Sequence, residues 1–209
     1  MPKGSEKLTA ARRREIIEAC EKLYQTMSFK DITIKEIGSL TSFTRTSIYN
    51  YFQTKEEIFL ALLKQEYELW AAELQSIMNE NEALDRNSFA NKIAASLERR
   101  RQLLKIMSMN MYDIEENSRM EHLTEFKTTY GKSLQLFSDL LKKFFPRMTE
   151  GERENLVYCF FPFVYGIYPY TVVTDKQREA MKEAKVDFTY FSIYEITYNA
   201  LIRLLPNSA

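Results

Sequence analysis

The chain is poor in the residues that punctuate a turn-rich fold, with five glycines and five prolines in 209 residues. Set beside abundant Glu, Lys, Leu, Ala, Met and Gln, this scarcity argues against a β-sandwich or barrel and favours helices. Cysteine is almost absent: Cys20 and Cys159 lie far apart with no Cys-x-x-Cys spacing, and His122 is the one histidine. A disulfide framework and a structural zinc site are therefore excluded, and a reduced, cytoplasmic protein is expected. There is no Gly-rich phosphate loop and no His-Glu-x-x-His motif, and His122 has no nucleophile or metal ligand near it in sequence. No enzyme, metal or cofactor is expected. The basic start "MPKGSEKLTAARRREII" lacks the apolar stretch of a secretory signal.

Charge is missing from one long stretch, residues 155–174, "NLVYCFFPFVYGIYPYTVVT", which is nearly long enough to span a bilayer. Pro162, Gly166, Pro169 and four tyrosine hydroxyls argue against a membrane span. A helix in contact with protein on all sides would account for the same apolarity. Over the whole chain the formal charge is zero, but its distribution is uneven. Residues up to Lys55 hold ten Lys or Arg against six Asp or Glu, a balance of +4, so the remainder carries −4. An N-terminal portion that meets a polyanion fits this split.

What is present is helical periodicity. Ile16, Cys20, Leu23 and Met27 recur on one helix face and predict a first helix over residues 9–27. Thr33 with Glu36 and Thr54 with Glu57 read as capping boxes, and Thr44 can cap between them. Helices are predicted over residues 34–40 and 45–51, with a longer one from 55 to about 78. Further helices are expected from Asp85 or Asn87 to about 97, near 98–107, from Ser118 to Pro146, from Thr149 through the uncharged stretch, and from Asp187 onward. Pro162 predicts a kink. The fold class is all-α, with about nine helices in a small domain at 1–54 and a larger one at 55–209.

Two short helices joined by a three- or four-residue turn and braced by a longer first helix describe a helix-turn-helix unit, whose second short helix enters the major groove of DNA. Arg45, Thr46 and Ser47 stand at the start of that helix. Ile48 and Phe52 form its apolar side, while Tyr49 and Tyr51 can present hydroxyls to the sugar-phosphate chain. Lys55 opens the fourth helix, where a phosphate would also be favoured.

The segment "ITIKEIGSLTSFTRTSIYNYFQTKEEIFLALL" resembles the DNA-binding signature of the TetR family of transcriptional regulators, over about residues 9–63. The resemblance implies that Thr33, Thr44, Arg45, Thr46, Ser47, Tyr49, Tyr51 and Lys55 take DNA-contacting positions, mostly to phosphate. This chain departs from the common pattern at Ser42 and Thr46, where glycine is frequent, and at Tyr51, where histidine is frequent. The resemblance further implies a homodimer formed by the last two long helices, with Phe161, Tyr194, Tyr198, Leu201 and Leu205 as candidate interface residues. It also implies a repressor whose larger domain binds a small-molecule effector. Trp70, Met107, Met111, Phe126, Tyr130, Tyr165 and Tyr168 could line an aromatic, Met-rich pocket, and the same stripes could instead be core. The alternative is a DNA-bound adaptor whose larger domain binds another protein.

Overall fold

The computed structural model describes residues 3–109 and 111–206. These form eleven α-helices: α1 (Lys3–Tyr24), α2 (Ile34–Ser39), α3 (Arg45–Ile48), α4 (Lys55–Glu80), α5 (Arg86–Arg99), α6 (Arg101–Met107), α7 (Met111–Glu116), α8 (Met120–Phe144), α9 (Glu150–Thr171), α10 (Asp175–Glu183) and α11 (Ile193–Leu204). Among the described residues there is no strand, so the all-α reading stands.

Two compact units are present: Met1–Gln65 with Asn110–Thr128, and Glu66–Met109 with Thr129–Ala209. The division falls inside α4 and inside α8. In the first unit Ile16, Cys20 and Tyr24 of α1, Ile37 of α2, Ile48 of α3 and Phe59 of α4 are buried together with Phe52. Phe59 is the hub of an edge-on aromatic cluster, with ring centroids 5.0 Å from Tyr24 and 4.8 Å from Phe29. The second unit is built around Trp70, Phe89, Phe137, Phe160 and Phe161, all buried. Phe137 and Phe160 stack at 4.8 Å.

Several elements differ from the pattern read in the sequence. The first helix begins earlier than expected and stops at Tyr24, where the Leu23 carbonyl accepts the amides of Thr26 and Met27. The third is a single turn: after Ile48 the chain continues in tight turns, with Tyr51 and Phe52 both donating to the Ile48 carbonyl. α7 carries only one buried residue, Ile114, and so left no periodic signal. The last helix is capped by Ser192 rather than Asp187, through a capping box in which the Ser192 side chain accepts from the Glu195 amide. Residues 186–191 are not helical, and the Phe188 and Tyr190 rings pack on each other at 5.0 Å, with the Arg178 guanidinium 4.7 Å from the Tyr190 ring.

α9 opens with the expected Thr149–Glu152 capping box and stays helical through Pro162 and Pro169. It is not enclosed on all sides. Leu156, Phe160, Val164 and Ile167 are buried, but Asn155, Tyr158, Cys159, Pro162 and Gly166 form an exposed stripe without charge. Tyr158 is 67% exposed. Among the described residues no single helix is long and apolar enough to cross a membrane. α9 and α10 would pass that test only as a pair, and they are bent by 81° at their junction.

Candidate nucleic-acid interface

The recognition element is made by a close crossing of α2 and α3. A Cβ placed on Gly38 would lie 3.3 Å from Arg45 Cβ and 3.4 Å from Ile48 Cδ1, so a bulkier residue would push the two helices apart. The turn between them is closed by Thr41, whose hydroxyl lies within bonding distance of the carbonyls of Gly38 (3.0 Å) and Phe43 (3.1 Å). α1 braces this turn. Glu15 accepts from the Ser42 amide and, at 3.1 Å, from the Ser42 hydroxyl, while the Arg12 guanidinium sits 5.4 Å from the Phe43 ring centroid. The Glu15–Ser42 pairing spans 27 residues and leaves no local signature, and the tight fit at Gly38 depends on how α2 crosses α3.

α3 has two sides. Ile48 and the following Phe52 are fully buried, each stabilising the unit by about 1.5–3 kcal/mol. Facing outward are Thr44, Arg45, Thr46 and Tyr49, with Ser47 and Tyr51 half-buried. Thr44 holds the N-cap position without capping any amide, its hydroxyl instead lying 3.0 Å from that of Ser47. The Arg45 guanidinium reaches the Tyr49 hydroxyl at 3.4 Å. Thr33 does cap α2, accepting from the amides of Lys35 (3.2 Å) and Glu36 (3.4 Å) while its hydroxyl donates to Glu36. Lys55 is occupied within the unit: its ammonium donates to the carbonyls of Phe29 (2.8 Å) and Ile32 (3.2 Å) and lies 4.1 Å from the Phe29 ring centroid. Seven of the eight residues expected at DNA thus lie on α3, its flanks and the cap of α2, whereas the Lys55 charge pins the α1–α2 connection.

Behind α3 lies an ionic cluster. Glu57, fully buried, accepts from the Gln53 amide (2.6 Å) and from the amide, Nε and Nη2 of Arg119 (3.0, 2.6 and 3.0 Å). Burial is the largest single influence on the Glu57 carboxyl and would raise its pKa. The Arg119 guanidinium and the two backbone donors, with nearby His122, together hold it below the usual value. The same pairing raises Arg119 above its ordinary value. The buried His122 ring stacks on Phe52 at 5.4 Å, with Arg119 Nη2 2.9 Å from its Nε2 and Arg13 Nη2 3.4 Å from its Nδ1.

In the second unit, three of the residues expected to line a pocket, Trp70, Met107 and Tyr130, meet side chains outside that set. Trp70 is fully buried and donates to the Ser96 hydroxyl at 3.0 Å. The Tyr67 ring, absent from the expected set, sits 5.6 Å from Tyr130 and 6.3 Å from Trp70, and its hydroxyl donates to the Met107 sulfur at 3.7 Å. Burial, and then the neighbouring Tyr165 and Tyr130 phenols, push the Tyr67 hydroxyl well above its ordinary pKa, and burial raises Tyr130 to about 12. Tyr168 is partly buried on α9. Met111 and Phe126 fall in the first unit.

Phe161 belongs to this core, 5.8 Å from Trp70 and 6.0 Å from Tyr130. With Leu201 and Leu205 it is already buried inside its own chain, whereas Tyr194 and Tyr198 stack at 6.1 Å and stay half-exposed. Three surface clefts of about 300, 370 and 510 Å³ open on this unit, and none is lined by the seven residues. The first lies between α9 and α11, lined by Met148, Leu156, Cys159, Leu204 and Pro206 among others. Among the described residues no group of three His, Cys, Asp or Glu side chains could hold a metal ion.

Residues 16–62 match bacterial regulatory proteins of the tetR family, and residues 64–203 match the tetracyclin repressor-like C-terminal domain. The chain belongs to the TetR family. A similar relative is HTH-type transcriptional repressor Rv1474c of Mycobacterium tuberculosis, 31% identical over 72 residues, which are 34% of this chain and 38% of that protein. Among solved structures, a TetR transcriptional regulator from Rhodococcus sp. RHA1 superposes with a TM-score of 0.60 at 13% identity, covering 96% of this chain and 98% of that one. The transcriptional regulator FadR from Bacillus subtilis, in complex with stearoyl-CoA, gives 0.57 at 15% identity, with 91% and 96% covered. At such identities the likeness is one of fold, and it extends the TetR architecture across both units.

Proposed function

We propose that this TetR-family chain is a cytoplasmic, homodimeric repressor that reads an operator with α3 and leaves it when a small molecule binds the second unit. One observation carries the DNA-binding part. α3 and the turns after it bury Ile48 and Phe52 completely while exposing Arg45, Thr46 and Tyr49, a guanidinium and two hydroxyls suited to base edges and phosphates.

Dimerisation is supported by the charge-free stripe on α9 and by the half-exposed Ile196 and Ala200 and exposed Leu204 of α11. Buried Phe161, Leu201 and Leu205 would then back the interface rather than form it. Cys159 reports on this surface, because Cys20 is buried and its thiol is pushed up to about 12 by burial. Labelling of Cys159 by a thiol reagent should slow as protein concentration brings the chain from monomer to dimer.

The effector reading rests on the aromatic interior around Tyr67, Trp70, Tyr130 and Phe161, which suits a long apolar or planar molecule once the rings part. Binding that favours a different spacing of two reading heads would weaken DNA affinity by population shift. Screening acyl thioesters and planar aromatics for release of bound duplex tests this, and the absence of release by every class would favour protein control. A specific feature supports that second reading: Val186, Tyr190 and Phe191, in the segment between α10 and α11, are exposed apolar side chains outside α9.

A further inference from the structure

α3 is a single turn, too short to be stable by itself, so its orientation must come from what holds its ends. Ile48 and Phe52 anchor its apolar side. Polar anchors hold its exit: Arg119 Nη2 donates to the Tyr51 carbonyl at 3.0 Å, and Glu57 accepts from the Gln53 amide at 2.6 Å. Glu57 and Arg119 are themselves joined by three hydrogen bonds, one from the Arg119 backbone amide, so both oxygens of a sealed carboxylate are engaged. Beside Arg119, the distant segment supplies a second tie, the Asn117 carbonyl, to which the Thr54 hydroxyl donates at 2.9 Å. Residues 117–122 thus clasp the backbone that leaves the recognition helix.

We propose that Arg119 and Glu57 are positioning residues for sequence-specific DNA binding, fixing the angle at which α3 presents Arg45, Thr46 and Tyr49. Arg119 acts as a two-pronged clamp whose planar fork spans the Glu57 carboxylate while one nitrogen also holds the Tyr51 carbonyl, a geometry a lysine cannot reproduce. Base readout depends on α3 being held at one angle, whereas attraction to phosphates depends on charge and tolerates a looser helix. The clasp therefore acts on specificity more than on adhesion.

The inference rests on the DNA-binding reading, and the test separates the two. Full-length wild type, Arg119→Lys, Arg119→Met and Glu57→Gln are compared on a duplex selected by the wild type from random DNA, on an unselected duplex, and by thermal melting. Arg119→Met should bind the selected duplex roughly 10- to 100-fold more weakly, the scale of losing one or two base contacts. Its affinity for the unselected duplex should change by less than about twofold, with an unaltered salt slope. Arg119→Lys, which keeps the charge and offers the milder change should Met unfold the chain, should show the same specific loss. Glu57→Gln combined with Arg119→Met should be no worse than Arg119→Met alone, as expected of coupled residues. Wild-type affinity of folded Arg119→Lys and Arg119→Met for the selected duplex would overturn the inference, and so would equal losses on both duplexes. A wild type that binds neither duplex in dilute salt would instead overturn the DNA-binding reading beneath it.

Discussion

The surface of α3 and the interior of the second unit are both rich in aromatic residues, and they put them to opposite uses. Around α3, Tyr49 and Tyr51 stand among Thr46, Ser47 and Asn50 and keep access to solvent. In the second unit Trp70, Tyr67 and Phe161 are sealed against one another, with the Trp70 indole satisfied by Ser96. Polar groups placed where no core needs them point to a partner outside the chain. An apolar stripe does not, because packing and ligand binding call for the same residues.

The contrast breaks most readily at Trp70. As a core residue, its replacement by Ala should cost about 3–5 kcal/mol of stability, read as a lowered thermal or urea midpoint. A midpoint close to wild type would instead place Trp70 on the wall of an open site. Smaller effects are expected at α3. Arg45→Ala should weaken binding to a selected duplex by about 1–3 kcal/mol and relax base preference if the guanidinium reads guanine. Tyr49→Phe should cost about 0.5–1.5 kcal/mol on every sequence alike, as a lost phosphate bond would. Binding to a panel of duplex variants separates the two, and uniform losses for Arg45→Ala would make it a phosphate contact as well.

The smallest effect lies behind α3 and depends on pH. The Glu57 carboxyl titrates below its ordinary value in the folded chain, so its stabilisation is fully present above the unfolded pKa of about 4.3. That contribution is lost as pH falls through the lower folded value. Melting followed from pH 7 downward should show wild-type stability falling in this acid range, and Glu57→Gln should lack that part of the fall. Parallel curves for the two proteins would mean that Glu57 gains nothing from Arg119.

Much of this was legible from local chemistry. The Thr33 cap, the Thr149–Glu152 box, the long helices and the two-sided α3 all follow from residues a few positions apart. The start of α11 has the same kind of local signature in Ser192 and Glu195, three residues apart, whereas Asp187 is followed by an aromatic run that is not helical. Lys55 illustrates a different limit. Its place at a helix start is a sequence property, whereas the two carbonyls that occupy it arrive from 26 and 23 residues upstream. The Glu57–Arg119 clasp joins residues 62 positions apart and has no local trace at all. Core and pocket in the second unit share one composition, so only packing tells them apart.

The most direct test is the architecture of the DNA that purified protein selects from random sequence. Two copies of α3 reading successive major grooves should enrich inverted half-sites whose centres lie about 10–10.5 base pairs, or a multiple of that, apart. The selected duplex should run with two chains bound. Enrichment of an unpaired half-site by a single chain, or no enrichment at all, would contradict the account.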